Sequence, residues 1–112
     1  MTNEELNTQL YEKMSAEQQA YRDWLMTLTP KEVLEHGYEF VVREDILLSV
    51  EENNLSDKQA RALLKSPSPL ADVFKKFQSW ETGHMENIRE CVESRANEVL
   101  RAELIASRRE ER

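Results

Sequence analysis

The chain has 112 residues, with 22 Asp and Glu against 15 Lys and Arg and a formal net charge of −7. That length supports one domain, residues 1–112, with a modest hydrophobic core. Two glycines and three prolines are too few for the turns of an all-β fold, and a single cysteine allows no internal disulfide. No apolar run approaches the ~20 residues of a membrane span. The start, MTNEEL, has acids where a secretion signal has bases and an apolar block. The expectation is a cytoplasmic protein with no membrane association.

The charge is uneven. Residues 1–55 hold twelve acids against four bases, whereas residues 56–112 hold ten acids against eleven bases. The N-terminal half repels phosphates and attracts basic surfaces. A solubilising helical surface accounts for the same asymmetry.

In chain order, Thr2 with Glu5 forms a capping box. Leu6, Leu10, Met14, Tyr21, Leu25 and Leu28 follow at helical spacing, which predicts a first helix over about 3–28. Ser15 with Gln18 offers a second cap and a weaker break. Thr29-Pro30-Lys31-Glu32 is a restart: Thr29 caps, Pro30 takes the first helical position and Glu32 closes the box. In the second helix Val33, Leu34, Gly37, Phe40, Val41 and Leu48 share a face with Glu44 in its middle. Ile46, Leu47 and Val50 point another way. The helix therefore bends near residues 43–45 or buries Glu44 against a base, and the bend is favoured.

Ser56 with Gln59 is a third capping box and opens a helix over about 57–65. Pro67 and Pro69 in KSPSPLADVF disfavour helix at Ser66 and Ser68. Ser68 is then placed to cap a fourth helix, with Pro69 in its first turn. Leu70, Val73, Phe74, Phe77 and Trp80 make its apolar stripe. SPSP is thus a joint between helices, with an exposed contact corner as the lesser reading. Past Thr82-Gly83, Ile88, Val92, Val99 and Leu104 keep the helical phase to about residue 107. A charged tail at 106–112 is expected to fray.

The fold class is all-α, a compact irregular bundle of four to five helices. The expected core contains Leu10, Trp24, Leu28, Leu34, Val41, Leu48, Leu63, Leu64, Val73, Phe74, Phe77, Ile88, Val92 and Val99. The last helix is compatible with a homodimer.

Candidate chemistry is sparse. Glu81-x-x-His84 has the spacing of a di-iron ligand pair, but such sites need two pairs, and His36 follows Val33 rather than an acid at that spacing. No metal or cofactor is expected. His84 and Cys91 share a helical face about 10 Å apart along the axis, too far for a direct hydrogen bond. Cys91 fits a small core residue. Two glycines cannot build a phosphate loop, and no nucleophile elbow is present. Catalytic residues are not found, and the protein is expected not to be an enzyme.

Two binding readings remain. Glu32, Glu35 and Glu39 form a carboxylate row that can imitate phosphate spacing and engage a basic protein surface. Glu44, Asp45, Glu51 and Glu52 extend this acidic set. The row is also what an ordinary solvated helix face looks like. The alternative is a helix-turn-helix over residues 57–80 that contacts DNA through Arg61, Lys65, Lys75 and Lys76. It lacks the clear basic excess of DNA-binding domains.

The stretches YRDWL at 21–25, HGYEFVVREDIL at 36–47 and NNLSDKQARALLKSPSPLADVFKKFQ at 53–78 resemble a family of small proteins of unknown function from gut Firmicutes. Members are often encoded on conjugative elements and prophages. The likeness runs from about Leu6 to about Val99, and SPSPLADVF is its most specific part. It carries over no catalytic residues. It implies a mobile-element setting, in which small acidic proteins often inhibit host defence, CRISPR nucleases included. Joined to the charge, it points to an acidic protein-binding module of anti-CRISPR-like type.

Overall fold

Three of the helix starts follow from local capping. In the computed structural model, which describes residues 1–80 and 84–110 with side chains from residue 86 in the second range, α1 spans Asn3–Leu25. The Thr2 hydroxyl accepts from the Glu5 N–H at 3.1 Å, and the Glu5 carboxylate accepts from the Thr2 N–H at 3.3 Å. α2 spans Pro30–Glu52, with Thr29 Oγ1 accepting from the Glu32 N–H. α3 spans Asp57–Leu64, opened by the reciprocal Ser56–Gln59 box. α4 spans Pro69–Trp80 and α5 spans His84–Glu110. The protein is all-helical, with five helices and no strand among the described residues.

Differences at the ends are small and physical. α1 stops at Leu25, where the N–H groups of Thr27 and Leu28 bond back three residues in tight final turns. It is unbroken at Ser15, because a potential cap inside a continuous apolar stripe does not outweigh propagation. α5 extends into the charged tail, to Glu110.

The chain divides into two compact units, Met1–Gln78 and Ser79–Arg112. In the first, α1 packs against both α2 and α3. Leu10, Met14, Leu47 and Leu70 are the buried centre, ringed by Tyr11, Ile46, Val50, Leu55, Leu63, Leu64 and Val73. In the second, every described side chain from 86 to 110 is exposed.

The compact single bundle expected from the sequence is therefore corrected. Among the described residues, the buried core is drawn from residues 6–74 alone. Ile88, Val92 and Val99, expected inside, are exposed, and so is Cys91. Trp24, Leu34, Val41 and Leu48 are exposed as well, and Phe77 keeps 38% of its surface in solvent. Leu10 and Phe74 are buried as expected.

α2 accounts for three of these residues, Leu34, Val41 and Leu48. Its apolar residues fall on two opposite faces, and period alone does not say which one turns inward. The face that does carries Ile46, Leu47 and Val50, the set that pointed another way, together with Val42. The charge that this face buries is Arg43, whereas Glu44 is exposed.

Candidate interaction surface

α1 is the element that positions everything else in the first unit, and it does so with polar side chains. The Asn7 amide nitrogen donates to the Leu55 carbonyl at 3.0 Å, and Asn7 Oδ1 accepts from the Leu55 N–H at 2.8 Å. Asn3 donates to the same carbonyl and to Asp57. These bonds lock the link between α2 and α3, whose backbone groups would otherwise lack partners.

A turn and a half further on, Lys13 Nζ donates to the carbonyls of Leu64 and Ser66 at 2.9 and 2.6 Å. One more turn along, the Glu17 carboxylate accepts from the N–H groups of Leu70 and Ala71, both at 2.8 Å. A cation thus sits on the C-terminal carbonyls of α3 and an anion on the N-terminal N–H groups of α4, each matched to its helix dipole. The SPSP segment is the joint between them. Ser68 was the expected side-chain cap of α4, but the N–H groups at its first turn go to Glu17. Within the joint, the Ser66 hydroxyl donates to Asp72 and accepts from the Ser68 N–H.

The α1–α2 seam is built around Arg43. Its guanidinium meets Glu39 at 2.8 Å and Glu17 at 3.9 Å, and lies over the Tyr21 ring at 4.2 Å. Two carboxylates and an aromatic face offset the cost of burying this charge. Beside it, buried Gln18 donates to the Phe40 carbonyl at 3.2 Å and to Glu44 at 3.0 Å. Tyr21, Trp24 and His36 continue the seam as ring contacts, with Trp24 and His36 edge-to-face at 5.0 Å. Burial pushes the Tyr21 phenol above the ordinary tyrosine value; the Glu39 carboxylate adds to the rise and Arg43 opposes it. The Tyr21 hydroxyl is buried without a well-formed hydrogen bond.

The opposite side of α2 has a different character. Leu34, Val41 and Leu48 recur every seven residues and are 81%, 57% and 52% exposed. Tyr38 lies beside them, also exposed. At about 100° per residue, Asp45 and Glu52 fall on the same side. Near Leu34 the surface opens into a shallow apolar dish of about 400 Å³, lined by Leu25, Met26, Leu28, Pro30, Val33 and Leu34. Of the two Lys and Arg side chains on α2, Arg43 is buried, so Lys31 alone faces solvent.

The seven acids expected to form one surface fall into three sectors of α2. Glu32, Glu35 and Glu39 share one; Glu39 is half-buried and committed to Arg43, and the other two are exposed. Glu44 and Glu51 share a second, with Glu44 held by Gln18. Asp45 and Glu52 form the third, the one that carries the apolar row. Of the residues expected to contact DNA, Arg61, Lys65, Lys75 and Lys76 are all exposed. Arg61 is in the last turn of α3 and Lys65 is its C-cap. Lys75 and Lys76 are neighbours on α4 and project about 100° apart. Glu81 lies outside the described residues, as does the His84 side chain.

Sequence reasoning missed Lys13, Glu17 and Asn7, which act across 48 or more residues of chain, and Arg43, whose Glu39 pair is local but whose Glu17 and Tyr21 contacts span 26 and 22 residues. The Leu34–Val41–Leu48 row was visible as a pattern but assigned to the core.

The matched family covers most of this architecture. A model for proteins of unknown function, DUF3848, matches residues 6–100. The chain belongs to the DUF3848 family. The match takes in every buried residue of this DUF3848 protein, the Lys13–Glu17 clamp, the Arg43 cluster and the outer face of α2. It ends inside α5, at Leu100. No curated protein and no solved structure matches the chain. Among the described residues, no helix is long and apolar enough to cross a membrane.

Proposed function

We propose that this DUF3848 protein is a non-enzymatic binding module that presents the outer face of α2 to a basic protein surface. The observation that carries the reading is the row of Leu34, Val41 and Leu48, exposed on a helix that already buries its other side. Contiguous exposed apolar surface rimmed by charge is the usual mark of a protein contact site. Here the rim is acidic: Asp45 and Glu52 on the row and Glu44 and Glu51 on one flank, while Glu32 and Glu35 lie in a separate sector of the helix. Apolar residues supply affinity in such a surface, while the carboxylates supply orientation and association rate. Glu39 acts from inside, by fixing Arg43.

The finer form of the proposal places the protein in the cytoplasm, encoded by a mobile element of a gut Firmicute. Its partner is then a host nucleic-acid-handling protein, with a CRISPR nuclease as the specific candidate and inhibition as the outcome. The support is the acidic N-terminal half and the resemblance of the SPSPLADVF region.

The test is co-purification with the tagged protein from such a host after nuclease treatment, in parallel with a Val41→Asp/Leu48→Asp variant. A basic protein retained by the parent, lost with the variant and weakened by salt supports the surface. Retention that ignores both changes refutes it. The alternative is a helix-turn-helix regulator, supported by the exposed Arg61, Lys65, Lys75 and Lys76 on helices held at a fixed corner by Lys13 and Glu17. It requires that a duplex be retained in a salt-dependent way and lost on Arg61→Glu/Lys75→Glu.

A further inference from the structure

We propose that α5 is a self-association helix that pairs with α5 of a second copy in antiparallel orientation. The helix has 27 residues, about 40 Å of length. Every side chain described on it is exposed, including Ile88, Val92 and Val99. Helices in proteins draw most of their stability from burying an apolar face, and this one has such a face to bury.

The face has seven-residue spacing. Val92, Val99 and Ala106 make one row, and Ile88, Arg95 and Ala102 make the other. Large residues lie towards the N-terminal end and alanines towards the C-terminal end. An antiparallel pair with its two-fold axis at Asn97 sets Ile88 opposite Ala106 and Val92 opposite Ala102 of the second copy. Large then meets small in each outer layer, as close packing requires. The same register brings Arg89 beside Glu103 of the second copy, twice by symmetry. At the axis the two Glu98 carboxylates approach one another, but each is held by Arg95 of its own helix at 2.9 Å. A parallel pair stacks like on like and brings Glu98 beside Glu103 of the second copy, where both are acids. Packing and charge therefore favour the same orientation.

The test is sedimentation equilibrium of the full chain over a wide concentration range. The expected result is a dimer that dissociates on dilution. Val92→Glu/Val99→Glu is expected to be monomeric, because it places four carboxylates in the apolar seam. Arg89→Glu is expected to weaken association about tenfold, through loss of two ion pairs and approach of like charges. Arg89→Glu/Glu103→Arg is expected to restore it. Orientation has its own readout in Cys91, the one cysteine of the chain. The antiparallel register separates the two thiols by about 18 Å along the axis, beyond disulfide reach. A chain that stays monomeric at every concentration overturns the proposal. So does a dimer that survives Val92→Glu/Val99→Glu, or one that is efficiently linked through Cys91 on oxidation. A dimer lost instead on Val41→Asp/Leu48→Asp moves the contact to α2 and overturns it equally.

Discussion

α1 and α5 are both long helices with a periodic apolar row, and they use it in opposite ways. α1 buries Leu6, Leu10, Met14 and Leu25, and sends Asn3, Asn7, Lys13, Glu17 and Gln18 to partners at least 22 residues distant in sequence. α5 exposes its row, and its ion pairs Arg89–Glu93 and Arg95–Glu98 are local, at spacings of four and three residues. Such exposed pairs contribute little to stability. The period of a helix says that it has an apolar face. Side chains that reach other elements show where that face is put.

The comparison can be broken most sharply at its extremes. Leu10→Ala, at a fully buried site in α1, is expected to lower stability by about 2–5 kcal/mol in urea unfolding. Val92→Ala on α5, measured at dilution, is expected to change it by less than about 0.5 kcal/mol. Equal losses would show that α5 contributes to a shared core and would erase the contrast. The same logic separates two phenylalanines of α4. Phe74→Ala is expected to cost about 3–5 kcal/mol, and Phe77→Ala distinctly less because 38% of its surface is already in solvent.

The Arg43 cluster comes next in size. Arg43→Ala leaves Glu17 and Glu39 facing each other without their shared cation. The expected loss is about 2 kcal/mol, below the range for a fully buried pair because Glu39 keeps more than a quarter of its side chain in water. A variant as stable as the parent would reduce the cluster to a surface ion pair. Glu17→Ala is expected to cost about 1–2 kcal/mol, the magnitude of a lost helix cap, and to loosen amide exchange at Leu70 and Ala71 specifically. Exchange protection unchanged at those two amides would show that SPSP holds α4 without α1.

The smallest effect sharpens the seam. Tyr21 carries a buried hydroxyl without a well-formed hydrogen bond, so Tyr21→Phe is expected to be neutral or slightly stabilising near pH 7. Its phenol is held above the ordinary value in the folded protein, so its neutral form is the one the fold favours. That contribution is complete below about pH 10, the unfolded value, and is lost as pH rises through the higher folded value. The parent should therefore lose more stability at strongly alkaline pH than Tyr21→Phe does. Parallel curves for the two would remove Tyr21 from the buried seam.

Much of the fold was legible in the residues. The starts of α1, α2 and α3 rest on Thr2, Thr29 and Ser56, whose hydroxyls act within three residues of themselves. Pro30, Pro67 and Pro69 work just as locally, through their own backbone restrictions. The all-helical class and the SPSP joint followed from these signals. The candidate surface was legible only in part. The acidity of α2 was plain, but its seven acids were read as one surface when the geometry of a helix spreads them over three sectors.

What the sequence by itself determined is where α1 to α4 begin and that each helix has an apolar side, because capping, proline and periodicity act over a few residues. Only the tertiary structure decided which side of α2 turns inward. Val42, Ile46, Leu47 and Val50 on one side and Leu34, Val41 and Leu48 on the other each make an apolar face, so periodicity alone does not choose between them. The side that turns inward also carries Arg43, which pairs with Glu17 and Tyr21 of α1. That pairing joins residues more than twenty positions apart, and no window of local sequence contains it.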